Sequence, residues 1–499
     1  MNLSLTSRGR RLLAVAAAVV LPATWLAVPA APTAAQGAAD WPAYLQGSGH
    51  SSFNANAVAI TPGNTLTLTQ SWKWAPPPAP AGETNRLLAS PTVANGFVYI
   101  GADDGDFYDL DEATGTTVWS AFLGVDKPPK GGKCGSVAQG IIATATVADD
   151  PVSGLPIVFV NSGDGDLYAL NAATGAIVWK GLVDTPSKTV QSYYSWGSPL
   201  VANGDVYVGI SSNCDTPLVQ GGLVSFNQST GVQVARWLDT PAGAPGGSIW
   251  SSPALLSNGD IVVTTGNGYP KSGEPLYNES IVSLDPNTLA VLDSWQVPAD
   301  QRTDDSDFGA SPTVWTATIN GTLTPMVGAC NKNGIFYAFA QGALSTGPVW
   351  QTRITVPYIG GATECDSAAV WDGNQLIIGG GDATTINEVS YPGSVQALNP
   401  ATGAPLWQTG LSGMIVGTPT EDGGGVVAAQ TWSSTYNDLG VYLLNAATGA
   451  IIGFVRTNAA VFGQAVFAEN DLFVAAGSGF GLQAFAPPSS GTPTTPLRR

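Results

Sequence analysis

Four polar residues are candidates for binding a metal ion or a small ligand, because each lies beside a strand-like segment and they come from neighbouring stretches of the chain. They are Asp215, Asn267, Asp307 and Lys332. Carboxylate and amide oxygens suit a hard cation such as calcium. Trp250 adds a flat ring that, next to such oxygens, suits a planar, metal-chelating ligand. The spacing leaves an alternative open, in which the acids cap turns and the tryptophan rings only fill a channel.

The rest of the composition excludes several other functions. His50 is the only histidine and none of the four cysteines lies in a Cys-x-x-Cys pair, so neither a zinc site nor an attached c-type haem is expected. The chain has 18 Lys plus Arg against 36 Asp plus Glu, which gives a formal net charge of −18. An acidic surface disfavours nucleic acids and anionic membranes as partners.

A repeated phrase organises the segments that must position these residues. It reads Leu-Asp-Glu-Ala-Thr-Gly at 110–115, Leu-Asn-Ala-Ala-Thr-Gly at 170–175 and Leu-Asn-Pro-Ala-Thr-Gly at 398–403, each followed by a tryptophan. Asn or Asp starts a turn, Gly supplies a positive φ, and the next strand carries the tryptophan. The copies recur at roughly 46–60 residues, a period typical of propeller blades. The large ring is expected to pack between neighbouring blades.

The sequence therefore predicts an all-β fold, one eight-bladed β-propeller of four-stranded antiparallel blades. Three strands of the last blade fall within 463–486, and its outer strand is expected at Leu66–Trp74. This pairing would close the ring without leaving a free sheet edge at the seam. The expected organisation is an export signal at 1–39, the propeller at 40–486 and a disordered tail at 487–499.

The first residues have the pattern of an export signal. Arg8, Arg10 and Arg11 precede an apolar run from Leu12 to Val28, and small residues follow it. A membrane anchor is the alternative, but Pro22 interrupts the short run. The mature chain is expected to be secreted, periplasmic or attached to the cell envelope, with no segment inserted in a membrane.

Blade geometry predicts which loops share a face. The loop that enters a blade and the loop between its second and third strands lie on one face, and all four cysteines fall in such loops. An even number of cysteines in an exported chain favours disulfides. The preferred pairs are Cys134–Cys214 and Cys330–Cys365, because each would link adjacent blades, with free buried thiols as the alternative.

Aligning the first strands of the blades places one residue of each at the same level around the axis. These residues are Leu88, Ile142, Trp196, Trp250, Gly309, Cys365, Val416 and Phe462. Trp196 and Trp250 are therefore expected to line the central funnel.

Over most of its length the chain resembles the propeller of pyrroloquinoline-quinone (PQQ) dependent alcohol dehydrogenases. The resemblance rests on Gly247-Ser-Ile-Trp250, Thr265-Gly-Asn267, the segment from Val208 to Asp215, and Asp307-Phe-Gly. The run Asp-Phe-Gly-Ala-Ser-Pro that starts at Asp307 looks most like the polyvinyl-alcohol dehydrogenase branch.

This resemblance implies an exported enzyme that uses PQQ and calcium to oxidise an alcohol, with a polymeric or secondary alcohol as the candidate substrate. It implies that Trp250 stacks under the quinone and that Lys332 contacts the quinone oxygens. Asp307 would be the catalytic base. Further cofactor contacts fall on Ser212 and on Gln139, which stands where the family has an arginine.

The resemblance also implies the metal and the electron route. Asp215, Asn267 and Asp307 match the calcium ligands. Gly309 stands where lanthanide-using relatives carry a second acid, so calcium is the implied metal. With no attached haem, the electrons would pass to a separate acceptor such as a cytochrome. The alternative function is a cofactor-free propeller that acts as an envelope scaffold or binding module, since non-catalytic propellers share the repeat.

Overall fold

A computed structural model describes twelve stretches of the chain. They are residues 37–79, 84–126, 139–184, 193–215, 217–241, 244–268, 277–303, 305–356, 365–381, 383–432, 439–477 and 479–488. The predicted tail and export signal fall outside these residues apart from 37–39 and 487–488.

The described residues form β-strands and four short 3₁₀ segments, at Tyr44–Gln46, Thr65–Thr67, Ala299–Gln301 and Leu344–Thr346, with no α-helix among them. Two strands precede the first blade, β1 (Phe53–Asn54) and β2 (Thr69–Trp74). Blade 1 consists of β3 (Thr92–Ala94), β4 (Phe97–Gly101), β5 (Asp106–Asp111) and β6 (Thr117–Phe122), and blade 2 of β7 (Thr146–Asp149), β8 (Pro156–Asn161), β9 (Asp166–Asn171) and β10 (Ile177–Leu182). Blade 3 consists of β11 (Leu200–Ala202), β12 (Asp205–Ile210), β13 (Gly222–Asn227) and β14 (Gln233–Leu238), and blade 4 of β15 (Ala254–Leu255), β16 (Ile261–Thr264), β17 (Ser280–Leu284) and β18 (Val291–Gln296).

The remaining blades follow the same pattern, with a small hairpin, β25–β26, added to blade 6. Blade 5 consists of β19 (Thr313–Ile319), β20 (Thr322–Asn331), β21 (Ile335–Ala340) and β22 (Trp350–Arg353). Blade 6 consists of β23 (Ala369–Trp371), β24 (Leu376–Gly380), β27 (Gly393–Leu398) and β28 (Pro405–Leu411), and its added hairpin of β25 (Thr384–Ile386) and β26 (Val389–Tyr391). Blade 7 consists of β29 (Thr420–Asp422), β30 (Val426–Gln430), β31 (Gly440–Asn445) and β32 (Ile451–Arg456), and blade 8 includes β33 (Val466–Ala468), β34 (Asp471–Ala476) and β35 (Gly481–Ala486).

The predicted closure of the ring is confirmed. The N-terminal strand β2 pairs antiparallel with β35, so the last blade contains strands from both ends of the propeller. The eight four-stranded antiparallel blades are thereby complete, as the repeat predicts. In addition, β1 pairs in parallel with β29 on the inner side of blade 7.

The repeated tryptophans link neighbouring blades. The Trp119 indole N–H of blade 1 donates a hydrogen bond of 2.9 Å to the Ala172 carbonyl of blade 2, and Trp179 donates one of 3.0 Å to Gln228 of blade 3. A methyl group on Gly175, which has a φ of +68°, would lie 2.5 Å from the Trp119 ring. Glycine is therefore needed there both for the turn and for the contact.

A second inter-blade link runs around the axis through serine and threonine hydroxyls. In each case the backbone N–H of a residue before the first strand of one blade donates to the hydroxyl of the equivalent residue in the next blade. The bonds are Ser90 to Thr144 (3.2 Å), Thr144 to Ser198 (3.0 Å), Ser198 to Ser252 (2.8 Å), Ser252 to Ser311 (2.9 Å), Ala368 to Thr418 (2.9 Å) and Gln464 to Ser90 (2.8 Å). We call this ring of eight residues the hydroxyl belt.

Residues 41–54 form a feature that the sequence analysis did not predict, which we call the N-terminal plug. Its backbone follows the inner strands of the ring and hydrogen-bonds to six blades. The partner N–H groups are those of Val93, Val147, Leu255, Val314, Trp371 and Glu421, at 2.7–3.0 Å. Inside the plug, the buried His50 ring donates to the Pro312 carbonyl at 2.8 Å. The plug thus ties the inner strands to one another.

Stability should depend on pH through Glu421, a 4% exposed carboxyl in β29. Burial raises its pKa to about 9, and the charges of Asp372 and Asp422 add to this rise. The folded state keeps a proton that the unfolded chain releases above its ordinary pKa of 4.5, so this contribution is full below pH 4.5 and is lost as the pH rises towards 9. Urea unfolding of the wild type should therefore give a lower free energy at pH 8.5 than at pH 5.

Glu421→Gln should reduce that difference by about 1–3 kcal/mol, because the amide carries no proton to lose. Glu388→Gln, which changes an exposed carboxylate, is the matched control. An equal pH dependence in wild type and Glu421→Gln would contradict the expectation.

Candidate functional site

The belt positions the wall of a central cavity of about 450 Å³. The residue two positions before each belt residue lines this cavity. These lining residues are Leu88, Ile142, Trp196, Trp250, Gly309, Asp366, Val416 and Phe462. Seven of the eight are those expected from aligning the first strands, and both tryptophans line the cavity as expected.

The expectation for blade 6 was wrong by one residue. Asp366, rather than Cys365, lines the cavity, while Cys365 is fully buried and forms a disulfide with Cys330. Because side chains alternate along an extended segment, a shift of one residue exchanges the side chain that faces the cavity. The loop before Cys365 has no repeat phrase to set its register, which explains the shift of one residue. Asp366 is therefore a cavity residue that the sequence analysis missed.

Asp307 is the most buried acid of the cavity, at 6% exposure. Its Oδ1 accepts a hydrogen bond from the Asn267 backbone N–H. Burial raises the pKa of Asp307 to about 7; the Lys332 ammonium opposes this rise, and the charges of Asp305 and Asp215 add to it. A carboxyl with a pKa near neutrality suits proton transfer at physiological pH.

Lys332 lies at the centre of the charged half of the cavity, with a side chain that is 12% exposed. Its Nζ lies 3.2 Å from Asp305 Oδ2 and 3.6 Å from Asp307 Oδ2. The same atom lies 4.9 Å from the centroid of the Trp250 ring, within range of a cation–π interaction. The Lys332 ammonium therefore interacts with both carboxylates and with the Trp250 ring.

Asn267 lies beside these residues but is not among those that line the cavity. Its backbone holds Asp307, and its Nδ2 donates a hydrogen bond of 3.4 Å to Asp305 Oδ1. The structure thus brings three of the four predicted residues into one hydrogen-bonded group, Asn267, Asp307 and Lys332.

The fourth, Asp215, reaches the cavity from the loop after β12. Its backbone N–H donates to Ser212 Oγ at 3.2 Å, and the Ser212 hydroxyl donates to Asp215 Oδ1 at 2.5 Å. Asp215 has a φ of +55°, a conformation that this compact turn stabilises. Ser212 also lines the cavity, as the resemblance implies.

A buried acid behind the loop holds it in place. Asp126, which has no exposed surface, accepts a hydrogen bond from the Asn213 side chain, one residue before Cys214. The Asp126 backbone pairs with that of Gln139 through two hydrogen bonds, of 2.7 and 3.1 Å. Sequence analysis gave no indication of Asp126, because it carries no motif of its own.

Two further predictions concern Gln139 and Cys214. Gln139 is 7% exposed and is not among the residues that line the cavity, whereas Ile142 is. Cys214 is disulfide-bonded, but its predicted partner Cys134 lies outside the described residues.

Among the described residues, no group of three or more His, Cys, Asp or Glu side chains has the arrangement of a metal site. Two cavity carboxylates, Asp215 and Asp307, are close enough for the charge of one to raise the pKa of the other. An amide oxygen from Asn267 would be needed to complete a set of three protein ligands.

Family models match both halves of the chain. Residues 41–255 match the model "Glucose/ethanol/alcohol dehydrogenase, beta-propeller domain". Residues 340–452 and 391–491 match that of the outer membrane protein assembly factor BamB. The first model covers the segment that carries Asp215 and Trp250.

Curated relatives agree with the first model. The quinohemoprotein alcohol dehydrogenase of Comamonas testosteroni is 28% identical over 242 residues, which is 41% of this chain and 32% of that protein. ADH IIB of Pseudomonas putida is 27% identical over 293 residues, 51% of this chain and 40% of its own length. A polyvinylalcohol dehydrogenase of Sphingopyxis is 24% identical over 365 residues, 63% of this chain and 52% of that protein.

The chain resembles the PQQ-dependent alcohol dehydrogenase-like propellers. The matched region spans less than two thirds of the length of each of these quinoprotein relatives. The crystal structure of the Comamonas testosteroni enzyme shares the fold, with a TM-score of 0.69 at 19% identity over 91% of this chain and 82% of that one. BamB from Moraxella catarrhalis gives a TM-score of 0.51 at 17% identity, over 85% of this chain and 99% of that one.

The quinoprotein-like propeller contains, within its described residues, no helix that is both long and apolar enough to cross a membrane.

Gly309→Ala should disturb the cavity without unfolding the propeller. The new Cβ would lie 2.0 Å from Asp366 Oδ1 and 2.3 Å from Trp250 Cη2, so both side chains must move. We expect a changed near-UV circular dichroism spectrum and a loss of about 1–3 kcal/mol in the free energy of unfolding. Gly63→Ala is the control, since its nearest atom outside its chain neighbours would be 3.8 Å away. A near-UV spectrum identical to that of the wild type would show that the contact is wrong.

Proposed function

We propose that the protein is an exported dehydrogenase that oxidises an alcohol with PQQ and calcium. The observation that carries this proposal is the environment of Asp307, a buried carboxyl with a pKa of about 7 that lies between Lys332 and the Asn267 amide in a cavity walled by Trp250. A buried base can remove the hydroxyl proton of an alcohol, and a hydrogen-bond donor and a flat aromatic surface can hold a planar hydride acceptor beside it.

The residues fit a quinone only when a cation is bound with it. Among the described lining residues, Lys332 is the only cationic side chain, whereas Asp215, Asp305, Asp307 and Asp366 are acidic. A quinone that carries carboxylates would be repelled by this excess of negative charge. Calcium held by Asp215, Asp307 and the Asn267 amide oxygen would offset the repulsion, since these are ligands that calcium prefers.

When bound, PQQ would supply the hydride acceptor and calcium would supply a Lewis acid, with Asp215, Asp307 and Asn267 as the residues that would hold the metal. Asp307 would remove the hydroxyl proton, so that the alcohol C–H and O–H bonds are both lost and a carbonyl compound forms. Lys332, whose Nζ lies 3.2 Å from Asp305 Oδ2, would donate a hydrogen bond to the quinone oxygen that gains negative charge. Trp250 would support the ring from one side.

The opposite wall supports an alcohol with an apolar body as substrate. Leu88, Ile142, Val416 and Phe462 line this side, and Phe462 is 38% exposed. Apolar surface of this kind favours contact with the hydrocarbon part of an alcohol. The similarity to a polyvinylalcohol dehydrogenase supports the same class, a secondary or polymeric alcohol.

The location and the electron route are also proposals. The basic and apolar start of the chain supports export, with the propeller acting outside the cytoplasm. Since the sequence has no haem-attachment motif, electrons would leave through a separate carrier such as a cytochrome.

A second candidate is a cofactor-free scaffold or binding propeller. It is favoured by the match of residues 340–452 and 391–491 to the BamB model and by the absence of Gln139 from the cavity wall. In that case the carboxylates and Lys332 would only form a buried ion-pair network. The protein would then reduce no dye in the presence of quinone, calcium and an alcohol.

Asp307→Asn should lower kcat by about 10²–10⁴-fold, because the amide cannot accept the alcohol proton. Its oxygen still offers a metal ligand, so the affinity for the quinone should change much less than kcat. Reduction of an artificial dye by a secondary alcohol, with excess PQQ and calcium, measures the effect. Asp300→Asn, an exposed change near the same loop, is the control. Unchanged turnover in Asp307→Asn would remove this residue from the mechanism.

Removal of calcium with a chelator should abolish dye reduction, and added calcium should restore it. Asp215→Ala should raise the calcium concentration needed for half-maximal activity by about tenfold or more, since one carboxylate ligand is lost. Asp149→Ala, which removes an exposed carboxylate of blade 2, should leave this concentration unchanged. Activity that resists exhaustive chelation would exclude a calcium-dependent reaction.

A further inference from the structure

The hydroxyl belt has one position without a polar side chain, in blade 6. Blades 1–5 and 7 carry serine or threonine there, and blade 8 carries Gln464, whose side-chain amide donates to the Thr418 carbonyl of blade 7 at 3.4 Å. Blade 6 carries Ala368 instead. The bond that Ser252 of blade 4 makes to the Ser311 hydroxyl therefore has no counterpart between blades 5 and 6, because alanine offers no side-chain acceptor.

A disulfide joins these same two blades. Cys330 lies near the end of β20 in blade 5, and Cys365 lies three residues before Ala368 in the segment that enters blade 6. Both cysteines are fully buried. Farther along β19, the Thr313 hydroxyl also crosses between the blades and donates to the Ala369 carbonyl at 3.1 Å. Nearer the cavity, a covalent bond is thus present between the two blades whose belt position has no hydroxyl.

On the blade 5 side, the disulfide belongs to the segment that holds the acidic loop. Directly after Cys330, the buried Asn331 donates from Nδ2 to the Ser306 carbonyl at 2.6 Å. The next backbone N–H, that of Lys332, donates to the Asp307 carbonyl at 3.0 Å. A shift of the end of β20 would therefore move both the Lys332 ammonium and the backbone of Asp307.

On the blade 6 side, the disulfide fixes the register of Asp366. Cys330 and Cys365 lie in one buried apolar cluster, and Asp366, the residue after Cys365, lines the cavity. The Asp366 carboxylate reaches across to blade 5, since a Cβ on Gly309 would lie 2.0 Å from its Oδ1. Because side chains alternate along an extended segment, holding the Cys365 sulfur in the core directs Asp366 to the cavity.

We propose that the Cys330–Cys365 disulfide takes the place of the belt bond between blades 5 and 6 and is a positioning link for Lys332 and Asp366. A disulfide also restricts the unfolded chain, and that effect stabilises the whole fold rather than one part of it. The positioning role is local, so its loss should appear first at the junction of blades 5 and 6. The two roles can therefore be separated by where protection is lost.

The experiment compares the wild type with Cys330→Ala/Cys365→Ala by fragment-resolved amide hydrogen exchange of the full chain without ligand. The Lys332 and Ala369 amides report on the junction of blades 5 and 6, and the Thr144 amide reports on a belt bond between blades 2 and 3. Exchange at the two junction amides should rise at least about tenfold more than at Thr144. An equal rise at all three amides, or no rise, would overturn the proposal.

Ala368→Ser tests whether the disulfide replaces a belt bond. In the background of the double cysteine variant, the new hydroxyl can accept from the Ser311 N–H, as the hydroxyls of the preceding blades do. Exchange at the Lys332 and Ala369 amides should then return to within about threefold of the wild-type rate. Junction amides that still exchange as fast as in the double variant would overturn the equivalence of the two links.

Val327→Ala is the matched control for lost packing. It removes two buried methyl groups from the same strand, as the double variant removes two buried sulfur atoms, but it keeps the cross-link. The Tm should fall, as for other large-to-small changes in a core, without a selective rise of exchange at the Lys332 and Ala369 amides. The same selective rise in Val327→Ala would show that packing alone fixes the junction and would overturn the proposal.

A second readout tests the link to the ligand and rests on the proposed function. Calorimetric affinity for PQQ with calcium should fall several-fold in Cys330→Ala/Cys365→Ala and recover when Ala368→Ser is added. An affinity that stays at the wild-type value while the junction amides lose protection would overturn the positioning role. If the wild type binds no quinone, the proposed function fails, and the exchange data decide the role of the disulfide independently.

Discussion

The inter-blade hydroxyl belt is the constraint on which the rest of the structure depends. Each blade is a sheet with its own internal hydrogen bonds, so only contacts between blades fix their relative positions. The repeated tryptophans provide such contacts near the outer strands, and the belt provides them near the axis. The cavity residues lie two positions before the belt residues. The hydrogen bonds that link the blades therefore also determine which side chains face the cavity.

The charged half of the cavity depends on these fixed positions of the blades. One ammonium, Lys332, is held within 3.2–3.6 Å of two carboxylates and over the Trp250 ring. Buried charges of this kind are costly unless each has a partner. Among the described lining residues, Asp215, Asp305, Asp307 and Asp366 outnumber the one ammonium. Binding of a divalent cation would relieve the repulsion between Asp215 and Asp307. This surplus of negative charge supports the proposal that the site binds a cation together with its ligand.

Much of this architecture could be predicted from the sequence, because the repeat phrase states the period and the turn chemistry of every blade. Asp215, Asp307, Lys332 and Trp250 could be assigned to one region for the same reason. Asp366 was missed through a register error of one residue at Cys365, in a segment without a repeat phrase. Gln139 was placed by analogy with an arginine, which does not determine where its side chain points. The plug follows no period at all, so its backbone hydrogen bonds to six blades could not be predicted.

Isothermal titration of the full chain with PQQ, in the presence and absence of calcium, tests the central claim most directly. The account predicts binding of one quinone per chain when calcium is present, and a large loss of affinity when it is removed, since the cavity acids would then face the quinone carboxylates without a cation. No detectable binding in excess calcium, or binding that is indifferent to the metal, would contradict it.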